Sequence, residues 1–420
     1  VALRVIRRVT EESAYSNLTL ATELERSGLQ DRERRLATEL AYGTLRRLLA
    51  LDWAIARSSS RPLRRVTPRV MAFLRLGAYQ LLFTRIPDHA AISETVDLAG
   101  ARERGFVNGV LRALARDRPA WPEGSDDEAI SLRTGLAAWA VRELRLLLED
   151  EAEEAAAALG ERAQLTLRTN TCRTTVEELE EALRSAGHEP KRGTLHPASL
   201  LLEEAPPRSL PGYAEGWFAI QDQASSFVTK ALDPRPGERV LDACAGPGGK
   251  AGHLACLVQP DGVAVAADVS HGRARLVEAQ SARLGLRPLV VVQDSKVPAL
   301  RPAFDRVLVD APCSGLGVSR RRPELLWRHG RDRLSGLAKL QVAIASSAAG
   351  LLKPGGLMVY SVCTFPRAET DAACDALLRH RPDLEPAPLR GPHGTADRIR
   401  LWPHRHGTDA MFVAGFRRRR

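Results

Sequence analysis

Residues 238–268, ERVLDACAGPGGKAGHLACLVQPDGVAVAAD, read as strand, glycine turn, helix and strand. ERVLDA is a short apolar run. CAGPGGK follows at once and opens a helix through His253 and Leu257, and GVAVAAD (262–268) is a second apolar run. PLVVVQD (288–294), FDRVLVDAP (304–312) and GLMVYSVC (356–363) repeat the pattern further on. Helices lie between them, the last being LSGLAKLQVAIASSAAGLL, stopped by KPGG. Strands apolar on both faces and separated by helices predict a mostly parallel, doubly wound sheet, a Rossmann-like α/β domain over 226–420.

The glycine turn narrows the ligand. A turn without side chains after a strand lets the backbone approach a bound cofactor. The spacing Gly246, Pro247, Gly248, Gly249 is not the dinucleotide pattern, and Lys250 is not followed by Ser or Thr as a P-loop requires. Acids end the next three strands: Asp268, Asp294 and Asp310. Ligands of open α/β sheets collect outside the carboxyl ends of the strands. There one acid suits a ribose diol and another an adenine amino group. An adenosyl ligand without pyrophosphate fits, and S-adenosylmethionine is the obvious one. Each acid taken singly is equally well a helix cap.

Two of the six cysteines stand at strand ends. Cys313 in DAPCSGLG follows the fourth strand and Cys363 in YSVCT the fifth, so adjacent parallel strands would bring them into one crevice. Two thiolates without a nearby His or further Cys make no tetrahedral metal site, and no metal is expected. Nucleophilic catalysis remains. Pyrimidine C5 attacks a methyl sulfonium poorly, but a thiolate added at C6 makes C5 enamine-like, and a base then removes the C5 proton. One Cys can add and the other assist elimination, in an order that the spacing leaves open, while Asp310 is placed to meet the edge of the base. An amino-group methylase needs no thiol.

The rest of the chain has other textures. Residues 1–148 show apolar spacing of three and four throughout and predict an all-helical domain. Within it Arg57, Arg61, Arg64, Arg65, Arg69 and Arg75 occur without an acid between them, a field suited to phosphate or simply a solvated face. Residues 149–225 predict a small α+β segment, with a helical boundary piece at 149–161, a strand at 163–170 and a helix at 174–187. Among 420 residues the 61 basic ones include only six Lys, and the net charge is +10, a hint of a polyanion or of coding bias. No apolar run approaches the ~18–20 residues that cross a bilayer. VALRVIRRVTEE fits a first helix better than a leader, and the missing Met suggests a trimmed start. Six cysteines without a CxxC suggest a reducing cytoplasm, with Cys172, Cys256 and Cys374 as structural thiols and Cys244 beside the cofactor. Trp327, after Arg320, Arg321 and Arg322, is either a base-stacking residue beside a phosphate clamp or a Trp packed on a helix.

The motifs together resemble the RsmB/Sun (Fmu) family of bacterial 16S rRNA cytosine-C5 methyltransferases. LDACAGPGGK, QDQAS (221–225), DAPCSGLGVSRRRPELLW, LAKLQ, KPGGLMVYSVCT and HGTDAMF (406–412) carry the likeness in the second half, LRLGAYQLLF (74–83) and GFVNGVLR (105–112) in the first. The resemblance implies a NusB-like RNA-binding domain over 1–148, a ferredoxin/RRM-like segment over 149–225 with Arg168 and Asn170 on RNA, and a methyltransferase domain over 226–420. It implies Cys363 as nucleophile, Cys313 as the residue assisting release, and Asp310 at the methionine end and the base. The cofactor would be held by Cys244, Ala245, Gly246, Pro247, Gly248, Gly249 and Lys250, with Asp268 on the ribose and Asp294 near the adenine. Small-subunit rRNA is the implied partner, with no membrane and no obligate protein partner. Three departures stand out: YSTCS reads YSVCT at Val362, CAAPGGKT reads CAGPGGKA at Gly246 and Ala251, and HGTDGFF reads HGTDAMF. Methylation of tRNA or another RNA, or a non-catalytic assembly factor on a decayed methylase, are the alternatives.

Overall fold

Strand β5 (Arg239–Asp242) sits near the middle of an eight-stranded sheet because Val240 and Leu241 are apolar and buried on opposite faces. The computed structural model describes every residue except Glu204. Ahead of β5 lie four short strands: β1 (Leu165–Thr169), β2 (Lys191–Arg192), β3 (Ser199–Leu202) and β4 (Phe218–Ile220). They form an antiparallel sheet in the order β2-β3-β1-β4. The helix Val176–Ser185, started by a Thr175/Glu178 capping box, packs Leu179 and Leu183 on Leu167, Leu200 and Phe218.

After β5 come β6 (Val263–Asp268), β7 (Leu289–Val292), β8 (Phe304–Asp310), β9 (Leu352–Val362), β10 (Leu384–Pro386), a hairpin of β11 (Leu389–Gly391) and β12 (Gly394–Ala396), then β13 (Arg398–Leu401) and β14 (Met411–Arg418). The large sheet runs β10-β14-β9-β8-β5-β6-β7, with β13 also on β14. From β9 to β7 the pairing is parallel, and β14 closes that side antiparallel, Phe412 opposite Val362. The chain moves outward from β5 through β6 and β7, then returns to add β8 and β9 on the other side. The order therefore switches between β5 and β8, where a crevice opens at the carboxyl ends. The expected α/β architecture is present, with the ferredoxin-like segment before it.

The chain divides into two compact units, Val1–Glu161 with Ser319–Arg331, and Arg162–Val318 with Asp332–Arg420. The helix Ala152–Gly160 belongs to the first, so packing divides the chain at Glu161 rather than at 148. The first unit is helical, with Leu51, Ile55, Leu74, Val107 and Leu111 in one core and Val5, Ile6, Leu45 and Leu76 in another.

Residues 319–331 come from the middle of the α/β sequence yet pack in the helical unit. Glu324 is fully buried and accepts from Ser16 Oγ at 2.5 Å, with Arg322 and Arg328 at 3.4 and 3.9 Å. Trp327 donates from Nε1 to the Leu45 carbonyl at 2.8 Å and packs on the core around Val5 and Leu45. The base-stacking reading of Trp327 therefore gives way to the packed one. The preceding arginines are no open phosphate clamp either: Arg320 is buried, and Arg322 lies 4.3 Å over the Tyr15 ring. A buried carboxylate is costly unless paired, and removing Glu324 leaves Ser16 N and Oγ without their acceptor and Arg322 and Arg328 without their counter-charge. Glu324→Ala should destabilise the first unit by about 3–5 kcal/mol. Urea unfolding followed by tryptophan fluorescence checks this, four of the six Trp residues lying in this unit.

Candidate active site

The thiols are placed by strand register. In the parallel β8–β9 pair Asp310 stands opposite Ser361, so Cys313 and Cys363 leave the sheet side by side. Their Sγ atoms are 3.4 Å apart. The hydrogen bond to Cys363, together with burial, pushes the Cys313 thiol well above its ordinary range. Cys313 thus keeps its proton beside Cys363.

Asp310 is held on both oxygens. Oδ2 accepts from Lys250 Nζ at 2.6 Å and Oδ1 from Ser361 Oγ at 2.8 Å. Burial alone would lower the Lys250 pKa, but the charge and hydrogen bond of Asp310 outweigh it and the net shift is upward. The ammonium is therefore a fixed cation of the crevice.

The glycine turn follows from close packing. At Gly246 a Cβ would stand 2.6 Å from both Asp268 Oδ2 and Arg273 Cβ, so the departure from Ala makes room for this pair. Gly248 has φ +112°, with the Val277 backbone 2.9 Å from where its Cβ would lie. Asp268 is buried and accepts from Gly246 N at 3.0 Å, Ser270 N at 2.8 Å and Arg273 Nε at 3.0 Å. Asp294 lies on a half-exposed loop, its carboxyl lowered by the Lys296 amide and, more weakly, the Lys296 ammonium. Ser295 ties that loop to the turn, donating to the Ala243 carbonyl at 2.6 Å. Cys244 is part of the turn, with its thiol pushed up by burial and the neighbouring acids.

One acid was passed over. Asp242 ends β5 as Asp268 and Asp310 end β6 and β8, and the same strand-end logic would have found it. It is buried, with Oδ1 accepting from Cys244 N at 3.3 Å and Oδ2 without a hydrogen-bond partner. Burial first, and Asp310 second, raise its pKa to about 7. A crevice lined by Asp242, Asp268 and Asp310, over a turn of small residues, offers acceptors rather than a phosphate cradle. It fits a ligand bearing an ammonium, a diol and an amino group, as S-adenosylmethionine does.

Arg168 and Asn170 do not face RNA. Arg168 is 1% exposed, donating from Nε to Gln221 Oε1 at 2.6 Å and from Nη2 to the Gly249 carbonyl at 3.5 Å. Asn170 is fully buried, donating to the Gly216 and Leu284 carbonyls. Arg168 joins the small sheet to the glycine turn, and Asn170 joins it to the end of the helix His271–Leu284. Cys172, just after β1, and Cys256, in the helix Gly249–Leu257, form a disulfide, against the expectation of free thiols throughout; their Cα atoms lie 5.9 Å apart, within bridging reach. QDQAS and HGTDAMF meet as well: Asp222 caps the helix Gln223–Leu232 and accepts from Thr408. In the first unit Arg57, Arg61, Arg64, Arg65 and Arg69 are exposed. Arg57 stacks on Trp53 and Arg61 on Phe106, whereas Arg75 is paired with Asp52 at 2.7 Å. Among the described residues no helix is long and apolar enough to cross a membrane.

Comparison with known proteins agrees along the chain. A family profile described as 16S rRNA methyltransferase RsmB/F matches residues 229–417. The NusB family matches 1–116, and the ferredoxin-like domain of RsmF/B-like methyltransferases matches 136–208. A putative methyltransferase of Mycobacterium tuberculosis is 39% identical over 99% of this chain and 95% of its own. The probable ribosomal RNA small subunit methyltransferase B of Bacillus subtilis is 34% identical over 100% and 98%. The solved structure of PH0851 is 26% identical with a TM-score of 0.86, covering 99% of this chain and 98% of that one.

The raised Asp242 carboxyl has a consequence for stability. Between about pH 4 and pH 7 the folded chain holds a proton that the unfolded chain has lost, so stability falls as pH rises through that window and levels off above it. Asp242→Asn removes the penalty and should be the more stable protein at pH 8 by up to about 4 kcal/mol. The difference should shrink toward pH 4, as thermal unfolding across that range would show.

Proposed function

Because this chain belongs to the RsmB/F family of 16S rRNA methyltransferases, we propose that it methylates C5 of a cytosine in 16S rRNA through a covalent adduct between Cys363 and C6. The observation that carries this reading is the pair of thiols 3.4 Å apart, at the ends of adjacent strands. S-adenosylmethionine is the cofactor, and when bound it supplies an electrophilic methyl group on a sulfonium centre.

The residues around it divide the work. The backbone of Gly246, Pro247, Gly248 and Gly249, with Cys244 and Ala245, forms the cofactor turn. Asp268 takes the ribose, Asp294 lies near the adenine, and Asp310 with Lys250 holds the methionine end. Cys363 acts as the thiolate and adds to C6, which places electron density on C5. After transfer a base takes the C5 proton, the C5–H electron pair re-forms the C5=C6 double bond, and the C6–S bond breaks with its electrons leaving on the Cys363 sulfur, beside the proton of Cys313. The raised Cys313 thiol supports this order of roles, since it keeps its own proton beside Cys363 and is placed to assist the elimination. Asp310, fixed by Lys250 and Ser361, faces the base edge.

In the same reading residues 1–148 grip RNA, with exposed Arg57, Arg61, Arg64, Arg65 and Arg69 toward phosphates. Residues 149–225 support the cofactor turn, and residues 226–420 carry the chemistry. The reaction takes place in the cytoplasm, on rRNA not yet buried in the ribosome. Val362 is fully buried in the apolar core beside the sheet, and Cys363 itself is unchanged by that departure.

Cys363→Ala should abolish methyl transfer. Cys313→Ala should cut turnover by about 10²–10⁴-fold while a covalent protein–RNA species accumulates on denaturing gels. Normal turnover in both variants would sink the thiol mechanism. Bisulfite mapping of RNA from cells lacking the gene identifies the substrate: loss of a methylcytosine from tRNA instead of 16S rRNA would transfer the activity there.

A further inference from the structure

Both cysteine loops end on one buried carboxylate that the mechanism does not use. Glu369 is fully buried. Its Oε1 accepts from Ser314 N at 2.8 Å and from Gln341 Nε2 at 2.9 Å, and its Oε2 from Ser314 Oγ at 2.5 Å. With that hydroxyl proton committed to Glu369, Ser314 Oγ is left to accept from Thr364 Oγ1, 2.7 Å away. Ser314 follows Cys313 and Thr364 follows Cys363. Gln341 also donates to the carbonyl of Pro312, the residue before Cys313, at 2.9 Å. Tyr360 Oη, from β9 itself, lies 2.8 Å from the Glu369 carbonyl and 3.1 Å from Gln341 Oε1.

We propose that Glu369 is a positioning residue which, through Ser314, Thr364 and Gln341, sets the spacing between Cys313 and Cys363. Strand register brings the two thiols into one crevice, but both lie beyond the paired residues, in loops that the ladder does not hold. The carboxylate takes donors directly from Ser314, after Cys313, reaches the Pro312 carbonyl before it through Gln341, and reaches the residue after Cys363 through one hydroxyl. No Lys or Arg contacts it in these hydrogen bonds, so its charge is met by oriented dipoles alone. Burial pushes its pKa up while the Ser314 and Gln341 donors pull it down. The same contacts give a role to Gln341 of LAKLQ and to the hydroxyl after Cys363.

This inference rests on the roles given above to Cys363 and Cys313, and the test separates the two. In Glu369→Gln one acceptor oxygen becomes an amide N–H₂ facing donors, so at least one tie is lost at nearly constant volume. Two readouts are taken on the full chain. The first is kcat and KM for S-adenosylmethionine. The second is the rate at which diamide joins Cys313 to Cys363 in RNA-free protein, followed by peptide mass spectrometry; diamide is reduced to the hydrazine as the thiols are oxidised.

A misplacement on the scale of an ångström predicts a kcat lower by roughly ten- to a hundredfold, an unchanged KM and a cross-linking rate several-fold slower. Wild-type kcat together with a wild-type cross-linking rate in Glu369→Gln would overturn the proposal. If that variant does not fold, Ser314→Ala decides, since it breaks the relay to Thr364 and leaves the carboxylate its two amide donors. Slower cross-linking supports the proposal, and an unchanged rate overturns it. Should Cys363→Ala methylate normally, the mechanism falls, yet the cross-linking rate still answers for Glu369.

Discussion

The parallel pairing of β8 with β9 is the constraint on which the site depends. Asp310 and Ser361 share a rung, and the chain leaves the sheet after Asp310 on one strand and after Val362 on the other. Every feature of the crevice follows from that rung. The thiols lie beyond it, Ser361 donates to Asp310 across it, and Lys250 reaches it from the glycine turn on the neighbouring strand. A parallel pair needs a long crossover, and the chain between Asp310 and Leu352 includes both the helix Leu334–Ala349 and the segment packed in the helical unit.

Charge in the crevice is arranged for acceptors. Asp242, Asp268 and Asp310 line it, with Lys250 and Arg273 as the cations in contact with them. Such a site favours a cationic, hydroxyl-bearing ligand and disfavours a bare phosphate. A run of exposed arginines without an acid between them lies elsewhere, from Arg57 to Arg69 of the first unit. The crevice is thus lined by acids, while the acid-free basic run of the first unit is the stretch suited to a polyanion.

Much of this was legible in the linear pattern. The apolar runs, their helices and the glycine cluster were enough to place the doubly wound sheet, and acids and thiols at strand ends were enough to place the crevice. What failed to show was burial. Arg168, Asn170, Arg320 and Trp327 all carry groups that suit nucleic acid, and each is spent on internal packing or hydrogen bonds. A polar side chain has the same letter whether it meets water, RNA or a buried carbonyl. The Cys172–Cys256 disulfide, 84 residues apart in sequence, was hidden for the same reason.

By itself the sequence determined the class of sheet, the glycine turn and the acids and thiols that stand at the strand ends, because these depend on local periodicity and on residues fixed at strand ends. Only the tertiary structure decided which polar residues serve the scaffold, that residues 319–331 belong with the helices, and that Glu369 gathers both thiol loops. Those outcomes depend on contacts between positions tens to hundreds of residues apart. Such contacts are set by how the strands and helices pack, and no local pattern records them.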